Sequence, residues 1–164
     1  MPSRSPIPLF DRTDAPIRGA DVRRALERAS RPAGMTTYET AIALDPSLEP
    51  AYVNLADLQS EIGDEPSAER TLRQAIALPS PSGAAHHALG LSLVRQGRDE
   101  EALPLLLSAA RLAPHHAHYP FVHALVLLSL GRRREAVSAL EEALERHPQD
   151  DEMRSVRDSL LGHR

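Results

Sequence analysis

The stretch Gly83–His116, GAAHHALGLSLVRQGRDEEALPLLLSAARLAPHH, holds two apolar-striped segments separated by a single glycine, and it decides the fold. Leu89, Gly90 and Leu93 recur at helical spacing and outline a first helix of about three turns. Gly97 follows, a residue able to take the positive φ that closes a helix. Asp99 opens a second helix, with Glu100 and Glu101 beside the positive end of its dipole. The inward positions of that helix are Ala102, Leu106 and Ala109, small enough for two helices to cross closely. Pro114 stops it.

The same order of residues recurs on either side with a beat of 34. Ala41, Ala75, Ala109 and Ala143 keep it, as do Gly63, Gly97 and Gly131. Ala68, Ala102 and Ala136 repeat it, with Leu72, Leu106 and Leu140, and the small residues Ala56, Gly90 and Ala124. A fixed period of this length marks stacked helix pairs, none of which can bury its apolar face alone. The units are 49–82, 83–116 and 117–150.

This pattern resembles the tetratricopeptide repeat, with an early Leu–Gly pair, a later Ala and a closing Pro. There are departures: no Trp occurs, Ser80 replaces one closing Pro, and His123 stands where Leu is usual. The resemblance implies an all-α, right-handed superhelical solenoid of antiparallel helix pairs. Residues Ala85–Arg132 also resemble repeat segments found C-terminal to bacterial multihaem cytochromes. Those carry CxxCH motifs and this chain has none, so the second resemblance implies a detached accessory module.

Composition fits closely packed helices. Hydrophobic residues make up 41% of the chain and aromatics 3%, so Ala and Leu must fill the interior. Few aromatics and a net charge of −4 argue against nucleic acid or an anionic membrane as partner. The absence of Cys excludes disulfides, thiolate catalysis and covalent haem, and no cofactor is expected.

The ends depart from the beat. Residues 1–16 hold four prolines and no apolar run suited to a signal peptide or membrane span, so a disordered leader and a cytoplasmic protein are expected. The helical domain is then 17–164. Ile17–Ala29 can form a helix one residue out of phase with the later units, and 15–48 reads as a degenerate first repeat with Thr37–Leu44 as its dependable helix. Asp150 can cap a closing helix over 151–162, with Met153, Val156, Leu160 and Leu161 inward.

Little here suggests catalysis. The pairs Glu100–Glu101 and Glu141–Glu142 read as a helix start and a solvent face, and no GxGxxG, phosphate loop or HExxH occurs. Six histidines fall between His86 and His123, without Cys and without ligand-like convergence, so a His-dependent metal protein is only a remote alternative. Arg132–Arg134 reads as a solvated turn.

The family resemblance implies that the first helices line a concave groove for a partner's peptide or helix. On this chain that face maps to Val53, Asn54, Asp57 and Ser60, then His87, Leu91 and Val94, then His118, Phe121, Leu125 and Leu128. Val53, Leu91 and Leu125, taken as equivalent positions of three successive units, are expected to be more exposed than Leu55, Leu89 and Leu127. Members that clamp the acidic tails of heat-shock proteins use groove Lys, Arg and Asn; here Asn54 alone is a candidate, and Ala84 and Ala88 take the basic positions. The expected function is therefore a non-enzymatic interaction module for an apolar or amphipathic partner segment. The alternative is a scaffold that self-associates through its groove or first repeat.

Overall fold

The computed structural model describes residues 33–162, and every element among them is an α-helix. In chain order these are α1 (Ala33–Leu44), α2 (Glu49–Glu61), α3 (Glu65–Ile76), α4 (Gly83–Arg95), α5 (Asp99–Leu112), α6 (His118–Ser129), α7 (Arg133–Arg146) and α8 (Asp151–Gly162). Each packs on the next, which builds the solenoid of hairpins α2–α3, α4–α5 and α6–α7. The expected leader and the helix over Ile17–Ala29 lie outside the described residues.

The glycine beat has a backbone cause. Gly63, Gly97 and Gly131 have φ of 81°, 73° and 72°. After α4, Gly97 N–H donates to the Val94 carbonyl at 2.9 Å and Arg98 N–H to the Leu93 carbonyl at 2.9 Å. The same two bonds close α2 around Gly63 and α6 around Gly131. This paired ending satisfies carbonyls that a helix end would otherwise orphan, and it turns the chain back for the second helix.

Helix starts are marked by side chains and proline. The Asp64 carboxylate accepts from Ser67 N–H at 3.1 Å ahead of Pro66, Ser82 Oγ from Ala84 N–H at 3.0 Å, and Asp150 from Met153 N–H at 2.9 Å. Pro104 lies within α5, past its first turn.

Packing explains the small residues. Ala68, Ala102 and Ala136 are wholly buried, and Leu72, Leu106 and Leu140 lie beside them with almost no exposure. A Cβ added at Gly90 would come within 2.7 Å of Leu106 Cδ2, so this helix pair packs closely over a glycine and an added methyl would make Leu106 shift. Gln59 is buried at a position that Leu93 and Leu127 fill in the next units, and it accepts a 2.8 Å hydrogen bond from Thr71 Oγ1.

Three local expectations need correcting. Helix α1 begins at Ala33, so Gly34, Thr36 and Thr37 are helical despite weak propensity. Tertiary contact outweighs it: Met35 is buried, and a Cβ at Gly34 would stand 3.0 Å from Leu58 of α2. In α8, Met153 is buried and Val156 and Leu160 are half-buried, whereas Leu161 is 49% exposed rather than inward. Its counterparts Leu93 and Leu127 are covered by the second helix of their own units, and no helix follows α8 among the described residues. Finally, Arg133 and Arg134 belong to the first turn of α7 rather than to a solvated turn. Arg132 pairs with Glu135 at 2.6 Å and Glu100 at 3.3 Å, and Arg133 donates to the Leu160 carbonyl of α8.

Candidate partner-binding groove

The first helices α2, α4 and α6 are the elements to which the candidate groove maps, and α2 and α4 touch directly. Residues 34 apart occupy equivalent positions. One register holds Asp57, Leu91 and Leu125; a neighbouring one holds Val53, His87 and Phe121; a third holds Ser60, Val94 and Leu128. Val53 therefore does not share a register with Leu91 and Leu125.

The registers differ in what they present. Leu125 is 40% exposed, Asp57 is exposed, and Leu91 is half-buried. Leu55, Leu89 and Leu127, in the same helices, are 6%, 1% and 3% exposed. Ser60, Val94, Leu128 and Val53 are half-buried, while Asn54 and His118 are exposed. Leu125, on a helix whose inward leucine is already buried, is surface that stacking does not need, whereas Leu91, Val94 and Leu128 also pack against the core.

His87 and Phe121 behave differently from the rest. Both are 8% exposed, so these rings are packed rather than open on the groove. The cause is the next unit: His87 stacks on Tyr119 with centroids 4.4 Å apart, and Phe121 clusters with Met153 of α8. Tyr119 and Met153 are themselves 34 apart. Position by position, this stripe is the joint between successive units. Val53 follows the same rule, packing beside Tyr52, Ala75 and Ala85.

The histidines form an aromatic set. His118 meets His87 edge to face at 5.4 Å, and His116 stacks on the other partner, Tyr119, at 5.0 Å. His86 Nδ1 lies 2.8 Å from the Ser82 carbonyl. No group of three His, Cys, Asp or Glu side chains among the described residues is placed to hold a metal ion. The buried His87 Nδ1 has no hydrogen-bond partner among the described residues. Burial, together with the neighbouring His118 charge, pushes its pKa down to about 4. His87 is therefore neutral at pH 7.

Charge is concentrated at the α2–α4 end. Arg95 holds Glu65 at 2.9 Å and Ser60 Oγ at 3.0 Å, and Ser92 Oγ donates to Glu65 at 3.0 Å. Loss of hydration beside its neighbours raises the pKa of Asp57, against the pull of Arg95. Below this, Arg98 grips Glu69 with contacts of 2.9 and 2.8 Å, Gln96 Nε2 adds a third at 3.0 Å, and Arg73 a fourth. The Arg73 hydrogen bond, with help from Arg98 and Gln96, pulls the Glu69 carboxyl down to about 2. Sequence reasoning missed both networks. The only available signal was that Glu65, Glu69, Arg95 and Arg98 come from adjacent units, about 30 residues apart.

A family model described as tetratricopeptide repeat matches residues 53–117 and 121–157, together more than half of the chain. The chain belongs to the tetratricopeptide repeat family. Such repeats are protein–protein interaction modules, and the fold carries that coarse role here. No curated protein matches. Among solved structures, PilF from Pseudomonas aeruginosa is similar with a TM-score of 0.69 and 24% identity, over 85% of this chain and 64% of that one. MamA aligns at 0.66 and 19% identity, over 88% and 90%. YrrB, described as a tetratricopeptide protein with an unusual peptide-binding site, aligns at 0.63 and 22% identity, over 87% and 71%. These likenesses establish the fold alone. None of these three is a cytochrome, so the second resemblance gains no support from them. No helix among the described residues is long and apolar enough to cross a membrane.

Proposed function

We propose that this protein is a non-enzymatic interaction module that receives an apolar or amphipathic segment of a partner protein along its first helices. The observation that carries the reading is the exposed Leu125, continued by the half-buried Leu91 and Leu128. Asp57, Asn54 and His118 supply a polar margin. A helix or extended strand laid across these helices would bury the leucines, and charged acidic tails would find no lysine or free arginine among Asn54, Ala84 and Ala88.

The test is a double substitution, Leu91→Glu with Leu125→Glu. Leu125 is exposed and Leu91 only half-buried, so a charge can reach water at both positions and circular dichroism should show the helical content of the wild type. Binding should be lost, because a partner's apolar anchors would have to desolvate two carboxylates. The partner is found by co-purification from the native host and mass spectrometry, then tested directly against both proteins. An unfolded double variant would place these leucines in the core, and a folded variant that still binds would move the site elsewhere. Self-association is the competing outcome: a wild-type protein eluting as a dimer that the two substitutions dissociate would make the partner a second copy.

A further inference from the structure

Between α5 and α7, with α6 as its floor, lies an open cleft of about 650 Å³. Its origin is legible in the repeat register. In the first unit Tyr52 is buried, and its hydroxyl donates to the Pro46 carbonyl at 2.9 Å. The equivalent residue in the third unit is Pro120, and the position of Leu55 and Leu89 is taken by His123. Both Pro120 and His123 line the cleft. The third unit thus lacks the ring and the branched chain that the first unit packs at these two positions. The Pro114 carbonyl, counterpart of that of Pro46, is met instead by His147 Nε2 at 2.9 Å.

The walls are apolar and the rim is charged. Leu103 and Leu107 of α5 face Ala139 of α7 across the opening. On the rim, Arg132 is matched by Glu135 at 2.6 Å and Arg146 by Glu142 at 3.4 Å. Arg111 has no carboxylate within 4.0 Å among the described residues. The rim therefore carries one uncompensated positive charge on a chain whose net charge is −4.

We propose that this cleft holds a segment of a partner protein that presents a large apolar side chain next to a carboxylate. The apolar group fills the space that Pro120 leaves, and the carboxylate pairs with Arg111. A volume near 650 Å³ corresponds to on the order of twenty waters, which is room for several residues rather than one ring. Its walls are second helices, and on the α6 floor Pro120 and His123 lie well away in angle from Leu125, so it is separate from the first-helix groove and can be occupied together with it.

The probes are short acetylated, amidated peptides, Ala-Ala-Phe-Glu-Ala against Ala-Ala-Phe-Lys-Ala and Ala-Ala-Ala-Glu-Ala, with 3-phenylpropanoate as a free-acid arm. NMR signals of the His123 and His147 imidazoles report on the cleft, and those of His87 and His118 on the other site. The Phe-Glu peptide should shift His123 and His147 saturably, and the Phe-Lys peptide should bind roughly tenfold or more weakly, the value of a charge-assisted hydrogen bond. Arg111→Gln should weaken the Phe-Glu peptide by a similar factor. Pro120→Tyr with His123→Leu should fill the space beside Pro120 that takes the apolar group and abolish the His147 shift; should that pair not fold by circular dichroism, His123→Leu alone should weaken binding. Equal binding of the Phe-Lys peptide, no effect of Arg111→Gln, or shifts confined to His87 and His118 would overturn the proposal. Binding of 3-phenylpropanoate as tight as that of the peptide would overturn the assignment to a protein segment. Loss of groove binding in the Leu91/Leu125 variant leaves these results unchanged, which separates the two sites.

Discussion

Replacing His87 with Phe should remove a loss of stability that the wild-type protein undergoes in mild acid. His87 is 8% exposed, its Nδ1 has no partner among the described residues, and its pKa lies at about 4 in the folded protein. In the unfolded chain the imidazole returns to about 6.5. Between those values the unfolded state binds more protons, so stability rises with pH. The contribution is fully present above about pH 6.5 and is lost as pH falls toward 4. Applying the linkage relation, going from pH 7 to pH 5 should cost about 2 kcal/mol at this one site. Phenylalanine does not titrate, and Phe121 already occupies the same register position with the same 8% exposure. His87→Phe should therefore match or exceed the wild type at pH 7 and lose about 2 kcal/mol less on going to pH 5. Urea denaturation at both pH values measures the difference. His123, whose pKa burial also lowers, contributes to both proteins and cancels. The depressed carboxyl of Glu69 matters only in stronger acid, below its unfolded value of about 4.5. An acid slope identical in the two proteins would refute the buried, neutral imidazole, and a large loss at pH 7 would show that the His87–Tyr119 stack needs a histidine.

Three further outcomes follow from the packing. Leu106, wholly buried at the closest helix crossing, should cost ~2–5 kcal/mol as Ala, whereas His115→Ala at an exposed turn should stay within ~0.5 kcal/mol in thermal melts. Ala109→Leu should overpack the same pair by ~1–3 kcal/mol, since Ala109 has no exposed surface; an unchanged melting temperature would mean that the hairpin can open. Excess Zn²⁺ or Ni²⁺ should leave the melting temperature of untagged protein unchanged, because the histidine rings pack on one another and on Tyr119. A rise of several degrees that disappears when His116 and His118 are replaced would contradict this.

The sequence by itself determined the helical-repeat class, its beat of 34 and most of its interior. Positive φ at Gly63, Gly97 and Gly131 is a local backbone requirement, and a residue without a Cβ announces it. Close helix crossing demands small side chains at fixed intervals, and Ala68, Ala102 and Ala136 repeat accordingly. What only the tertiary structure decided is which side of each first helix a neighbour covers. His87 and Phe121 read as groove residues because the groove and the joint between units lie on adjoining stripes of one helix, and periodicity cannot separate stripes so close in angle. Leu161 reads as core because its counterparts are, yet it is 49% exposed, with no helix following it among the described residues. The Glu65–Arg95 and Glu69–Arg98 pairs, and the cleft left by Pro120, arise between residues about 30 positions apart or from the volume that a substitution fails to fill. Local pattern encodes backbone direction and burial of a face; the identity of the atoms across an interface depends on the stacking of units, which no single unit contains.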